Sequence, residues 1–271
     1  MHDVAYGRYR FDTVAGSYLD AMEDLLVYDA YREQRIRGPI RIHGASLGCI
    51  SGMNQIAQTF VNTDAEWLFL TDADMSFPVD ALYRLLYAAD KDTRPIMSAL
   101  TFKYQLTGED SSGGTVGEER PVILDWTKDP ETGATGFVGR MRYPSNTVLK
   151  CSATGMACVV IHRSVPEAIL EKFGPVWHDP MPNPLHEGKT LGTDVSYWVR
   201  AGLCGFDVHV HTGVLTSHQK TCWVSQDSYV KRMSAAGIDV HEGFDTVPAP
   251  EPPKTPTQNR KERRALARTN R

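Results

Sequence analysis

No apolar run in this sequence approaches the roughly 20 residues that a helix needs to cross a bilayer, so no membrane span is expected. The first ten residues, MHDVAYGRYR, lack the charged-then-apolar order of a secretory signal, which predicts a chain that stays in the cytoplasm. Cysteine is scarce: Cys49, Cys151, Cys158, Cys204 and Cys222 make an odd number, with no CxxC pair and no zinc-finger spacing. That usage excludes a disulfide framework and fits reduced, mostly buried thiols. Basic charge is also short over most of the length. Of 29 Lys and Arg, seven fall between Glu251 and Arg271, which leaves 22 against 31 Asp and Glu in the remainder. The body is therefore about −9 and the tail +5. A broad nucleic-acid-binding face, which neutralises phosphates with Lys and Arg, is disfavoured.

What is present is an ordinary soluble composition in 271 residues, enough for one large α/β domain or two small ones. Apolar periodicity predicts a strand at Asp3 to Tyr6, then a helix over Val14 to Gln34, where Leu19, Met22, Leu25, Leu26 and Tyr31 recur at helical spacing. A second strand at Pro39 to His43 and a second helix at Ser51 to Val61 lead to a third strand, Glu66 to Leu70. Pro78 suits the first turn of a helix over Val79 to Ala89, and Pro95 to Thr101 reads as a fourth strand. This alternation predicts an α/β fold: a mostly parallel, Rossmann-like sheet, helices on both faces, ligands at the carboxyl ends of the strands. Gly- and acid-rich stretches at Thr107 to Glu119 and Lys128 to Gly139 read as mobile loops or hairpins around a strand at Val122 to Trp126. Further on, Val148 to His162 suggests paired strands, Asp194 to Ala201 a helix capped by Thr193, and Phe206 to Thr216 a strand. Residues 1–245 read as one domain, and 246–271 as a disordered tail, Pro-rich and then basic.

The chemistry concentrates at Asp72-Ala73-Asp74, directly after the apolar run WLFL. On an extended chain, side chains two residues apart point the same way, so both carboxylates are expected to aim at one spot above the sheet edge. Two carboxylates held together repel unless a cation lies between them, and Mg²⁺ or Mn²⁺ is commonly held by one or two carboxylates plus phosphates. A diphosphate is the natural further ligand.

From Asn54-Gln55-Ile56-Ala57 through TDADMSFPVDALYRLL, the chain resembles the GT-A glycosyltransferases, and is similar to compact family-2-like members, including short ones met in bacteriophages. CSATGMACVVIHRSV resembles the family's glycine-centred strand, and LGTDVSYWVRAGLCGFDVHVHTGVLTSH its acidic-motif helix and closing strand. The likeness runs from about Asp3 to His218 and implies a metal-dependent glycosyltransferase moving a sugar from a UDP- or GDP-sugar to an acceptor hydroxyl. It implies a nucleotide-sugar half over 1–105 and an acceptor-side half over 106–245. Mn²⁺ or Mg²⁺ would be held by Asp72, Asp74 and His218, with Tyr6, Gly7, Asn54, Asp72 and Gly155 on the donor and Asp194 as catalytic base. Protein, glycan and modified DNA stay open as acceptors, and a phage-encoded member would work in its host's cytoplasm. Thr193 stands where the family's first acid belongs, and Met53 where an arginine often precedes Asn54.

Several residues carry rival readings. Asp194 in a first helical turn also serves the helix dipole. His209 and His211 share one face of DVHVH, as zinc ligands with His218 or, more simply, as a wet strand face. Trp177 and His178 suit an acceptor pocket or a core. Gly44-Ala45-Ser46-Leu47-Gly48 fits a nucleophile elbow, making Ser46 the nucleophile of a serine hydrolase with Asp194 and His218 following in order. Too little chain precedes that serine for the earlier sheet strands and oxyanion loop. The third alternative is a catalytically degenerate sugar-binding module, suggested by Thr193.

Overall fold

The computed structural model describes residues 3–10, 14–43, 48–109, 115–128, 131, 133, 135–183, 188–219 and 223–244. Ser46, Cys222 and the tail lie outside them. Val4–Arg10 forms β1, Gly16–Ala30 α1, Ile36–His43 β2, Gly48–Val61 α2 and Trp67–Asp72 β3. The short β4 (Met75–Ser76) leads to α3 (Ala81–Ala88) and β5 (Ile96–Leu100). Two hairpins follow, β6 (Phe102–Glu109) with β7 (Thr115–Pro121) and β8 (Ile123–Lys128) with β9 (Thr135–Gly139). Next come β10 (Val148–Cys151), β11 (Ala153–Thr154), β12 (Cys158–His162), α4 (Ser164–Phe173) and α5 (Thr193–Leu203). The described chain closes with β13 (Val208–Leu215), β14 (Ser217–Gln219), β15 (Trp223–Ser225) and α6 (Gln226–Ala235).

Seven strands make the central sheet, in the order β10-β13-β5-β12-β3-β1-β2. The sheet is mixed rather than mostly parallel. Pairs β2/β1, β1/β3 and β5/β13 run parallel, whereas β3/β12, β12/β5 and β13/β10 run antiparallel. A parallel neighbour needs a long crossover, usually a helix. Strand β12 instead arrives from the hairpins through the two-residue β11, and so enters the sheet reversed.

The sheet is buried on both faces, which explains the unbroken apolar run WLFL. Trp67 and Phe69 face a core built with Tyr18, Met22 and Leu25 of α1 and Leu82, Leu85 and Leu86 of α3. Leu68 and Leu70 face the other core, with Ile56 and Phe60 of α2, Ile169 of α4 and Trp198 of α5. Each fully buried apolar side chain contributes about 2–3 kcal/mol by area alone, so these two layers hold the helices to the sheet. A smaller sheet, β15-β14-β4, joins the segment after Asp74 to the chain after β13.

The boundaries bear on function. Strand β1 runs to Arg10, past the expected end at Tyr6, so Gly7 lies inside it with Tyr6. Helix α5 is capped by the backbone of Gly192 with no side-chain cap; Thr193 is its first residue, and its hydroxyl turns to Asp194 at 3.3 Å. The two Gly- and acid-rich stretches form hairpins, and Arg232 of α6 ties the first one down through Glu118 at 3.2 Å and Glu119 at 3.6 Å. Among the described residues no helix is long and apolar enough to cross a membrane.

Candidate functional site

Strands β3 and β5 both oppose β12, so they run parallel to each other and their carboxyl ends share one edge with that of β1. The turn after β3 is fixed at that edge by three different elements. The Asp72 N–H donates to Ala157 O (3.1 Å), the Ala15 N–H to Ala73 O (3.0 Å) and the Gln219 N–H to Asp74 O (2.8 Å). Beneath it, Thr71 is buried with its hydroxyl 3.0 Å from Tyr18 Oη and 3.4 Å from Tyr6 Oη. A backbone held at each successive residue presents its side chains without reorganisation.

The two acids reach their places differently from the expected alternation. Asp72 ends β3 beside Tyr9 of β1, and Tyr9 belongs to the core on the α2 side. Asp74 is not in a strand: it sits in the turn between β3 and β4, and its Oδ2 lies 2.9 Å from His218 Nε2 on β14. The pairing follows from the small sheet, in which Met75 of β4 stands opposite His218. The Asp74 side chain is 38% exposed and that of His218 17% exposed, so the pair faces outward.

Asp194 closes the same edge from α5. Its Oδ2 accepts the Met156 N–H at 3.3 Å, and burial holds its carboxyl above the usual aspartate range, against the opposing pull of that N–H and of Thr193. Cys49, the second residue of α2, lies near enough to feel both acids: partial desolvation of its sulfur pushes its thiol up, and the negative charges of Asp194 and Asp72 push it further, while a hydrogen bond from Thr193 pulls it back. Asp72, Asp194 and Cys49 are therefore neighbours on the α2 and α5 side. Cys49 is exposed, not buried as the cysteine pattern predicts. Arg8, paired in register with Thr71 on the opposite face, places its guanidinium 5.6 Å from the Tyr18 ring. Neither Cys49 nor Arg8 carries a local motif that marks it. Only the register of β1 on β3 and the start of α2 bring them to the edge.

The remaining expected residues divide. Gly155 precedes Met156 at the edge, with Ser98 Oγ donating to its carbonyl at 3.3 Å. Tyr6 is buried, and Gly7 packs so closely under α2 that an added Cβ would lie 2.9 Å from Ile56. Both are pillars of the strand below the edge. The Asn54 side chain is committed to the segment before α5: it donates to Asp179 Oδ2 (2.6 Å) and accepts from the His178 N–H (2.8 Å). Trp177 and His178 are buried, Trp177 Nε1 donating to Pro166 O (2.8 Å) and His178 stacking on Tyr197, so both belong to the core rather than to an acceptor wall. His211 is buried too, which corrects the wet-face reading of DVHVH, because α3 covers that side of β13. An open cavity of about 540 Å³, lined by Ala5, Ile36, Gly38, Ile40, Thr63, Asp64 and Ala65, lies at the amino ends of the strands, away from the acids.

Among the described residues, no three His, Cys, Asp or Glu side chains come together as a complete metal shell. The site presents the Asp74–His218 pair and, on the same turn, Asp72. The Asp74–His218 pair alone offers a hard cation such as Mn²⁺ or Mg²⁺ two ligands, so most of its shell would have to come from phosphates and water, and the pair does not make a closed structural zinc site.

No family model matches the chain, and no curated protein matches it in sequence. Among solved structures, it is similar to A197 from STIV. The identity is 12%, the TM-score 0.44, and the match covers 84% of this chain and 92% of that one. It is also similar to GalNAc-T7 crystallised with UDP, GalNAc and Mn²⁺, at 11% identity and a TM-score of 0.41, over 85% of this chain and 47% of that one. Neither likeness assigns an activity to this chain.

Proposed function

We propose that the chain is a metal-dependent glycosyltransferase of the GT-A type that transfers a sugar from a UDP- or GDP-sugar to an acceptor hydroxyl. The observation that carries this reading is the clamped turn with Asp72 at its start and Asp74 against His218, set at the carboxyl edge of an α/β sheet and faced by Asp194. Asp74, His218 and Asp72 would hold Mn²⁺ or Mg²⁺, whose contribution when bound is positive charge against the diphosphate leaving group. Arg8 adds a cation at the same edge. Asp194, with its raised proton affinity, takes the proton of the attacking hydroxyl. Asn54 and Gly7 support this arrangement from behind, by fixing the 178–179 segment and the seat of α2.

The serine-hydrolase alternative needs His218 between Asp194 and Ser46, whereas His218 Nε2 pairs with Asp74. A sugar-binding module without catalysis draws on one observation, that Thr193 fills the place of the family's first acid and hydrogen-bonds Asp194. A thermal-shift screen of UDP- and GDP-sugars with and without Mn²⁺ tests the proposal. Ligand at about 100 times its Kd adds about 2.7 kcal/mol, which raises the Tm by about 5–10 °C in a chain of this size. The shift is expected only with metal present and should vanish in Asp74→Ala, together with transfer activity. Manganese-dependent turnover that survives Asp74→Ala would refute the metal assignment. Metal-dependent binding without transfer or donor hydrolysis, over a broad panel of acceptors, would select the binding module.

A further inference from the structure

We propose that Thr101 is the residue that recognises the transferred sugar, its hydroxyl exchanging a hydrogen bond with a sugar hydroxyl in the space left by Gly155; this rests on the reading of the edge as a nucleotide-sugar site. Thr101 follows β5 directly and is 2% exposed. Its main-chain carbonyl is used by the Val122 N–H at 2.9 Å, but its hydroxyl oxygen is buried without a hydrogen-bond partner. Three other hydroxyls at this end of the sheet are satisfied. Ser98 donates to Ala99 O (2.9 Å), Thr154 to Val122 O (2.6 Å) and Thr216 to Leu100 O (2.9 Å). A buried hydroxyl left alone is costly and uncommon, and calls for a reason.

The atom it faces is one the sequence withholds. A Cβ on residue 155 would sit 2.9 Å from Thr101 Oγ1, and the next nearest residue, Val122, would be 3.8 Å away. The hydroxyl has almost no exposed surface in the ligand-free chain, and glycine at 155 keeps a side chain from closing over it for good, so that a small local shift admits a ligand atom. The position is also the right one. Gly155 adjoins Met156, whose N–H holds the Asp194 carboxylate, and Ala157, whose carbonyl holds the Asp72 backbone. Strand β12 alone separates β3 from β5, so the ends of those strands stand two strand spacings apart, about 10 Å. A diphosphate gripped at Asp72 and Asp74 directs its sugar along the 155–157 segment, between Asp194 and Thr101. Sites built to hydrogen-bond a substrate hydroxyl discriminate strongly, because the protein group is otherwise left unpaired.

The test compares Thr101→Val, Thr101→Ser and the unaltered chain by calorimetric titration with Mn²⁺. The probes are UDP and GDP on one side, and UDP-glucose, UDP-N-acetylglucosamine and GDP-mannose on the other. Thr101→Val should weaken the productive nucleotide-sugar about tenfold and leave its nucleoside diphosphate unchanged, and Thr101→Ser should recover the affinity. The ligand-free Tm of Thr101→Val should hold or rise, since removing an unpartnered hydroxyl loses no hydrogen bond. Equal weakening of both ligands, or a lower Tm, would mean that Thr101 supports the fold, and overturns the inference. So does unchanged affinity for both, the result expected if a buried water satisfies the hydroxyl. If the unaltered chain binds neither a nucleoside diphosphate nor its sugar ester, the glycosyltransferase reading fails first and this inference falls with it.

Discussion

Asp194 illustrates how one carboxylate is prepared for proton transfer. Burial disfavours its charged form, and two hydrogen bonds, from the Met156 N–H and the Thr193 hydroxyl, restrain the shift without abolishing it. A base must be deprotonated to work, so activity should fall as pH drops through a value above the ordinary aspartate range near 4. Asp194→Asn keeps an acceptor for Met156 but cannot take a proton, and should lower kcat by about 10²–10⁴-fold with little change in donor affinity. A pH profile of kcat/KM whose acid limb stays at ordinary aspartate values would remove Asp194 from that role. At this scale the sequence was partly legible. Asp72 and Asp74 stand out as acids directly after an apolar run, whereas Asp194 and His218 are singled out only by the family likeness of the segments that carry them. Thr101, Cys49 and Arg8 are not, because a threonine with an unpaired hydroxyl looks like any other until its neighbours are known.

Helix α2 meets β1 at unusually short range, and two glycines permit it. A Cβ on Gly52 would land on the ring of Tyr9, and one on Gly7 would press on Ile56 at 2.9 Å. For Gly52→Ala two effects oppose: alanine favours the helix by about 1 kcal/mol, and displacing a buried ring costs about 1–3 kcal/mol. Tyr9 is 6% exposed and has little room to turn, so the cost should win. The expected result is a Tm lower by a few degrees and weaker nucleotide binding, because α2 carries Cys49 and its own N-terminus away from the edge as it moves. A Tm that rises would show that the ring yields freely. Elements were the most legible level: 3.6-residue and alternating patterns locate α1, α2, α3, α5, β3 and β5 within a few residues. Strand direction was not, since nothing in CVVIH distinguishes a parallel from a reversed β12; only the absence of a crossover helix decides it.

Across the whole molecule, two buried histidines couple stability to acid. Burial, aided by the charge of Arg200, pushes His178 down to about 3, and burial with Arg84 nearby pushes His211 down to about 4. In the unfolded chain both protonate near 6.5. Below that pH the unfolded state binds more protons than the folded one, so stability present above pH 6.5 is lost as pH falls toward 4, by on the order of 1 kcal/mol per pH unit for each histidine. Asp194, raised in the fold, acts in the opposite direction between its folded value and the ordinary aspartate range, and offsets part of this loss there. The net expectation is a Tm that is flat from pH 8 to 7 and declines steeply from 6.5 to 4. His178→Phe keeps the ring against Tyr197, whose centroid is 4.8 Å away, but removes one titrating site, and should make the slope between 6.5 and 5 shallower without abolishing it, since His162, His209 and His211 are also held below their ordinary value. A flat profile in the unaltered chain would show that these rings carry protons in the fold and would overturn this reading. Since the site acid needs a pH above the ordinary aspartate range, and the core histidines cost stability as pH falls below about 6.5, the same burial that shapes the cleft sets the acid limit of both activity and stability.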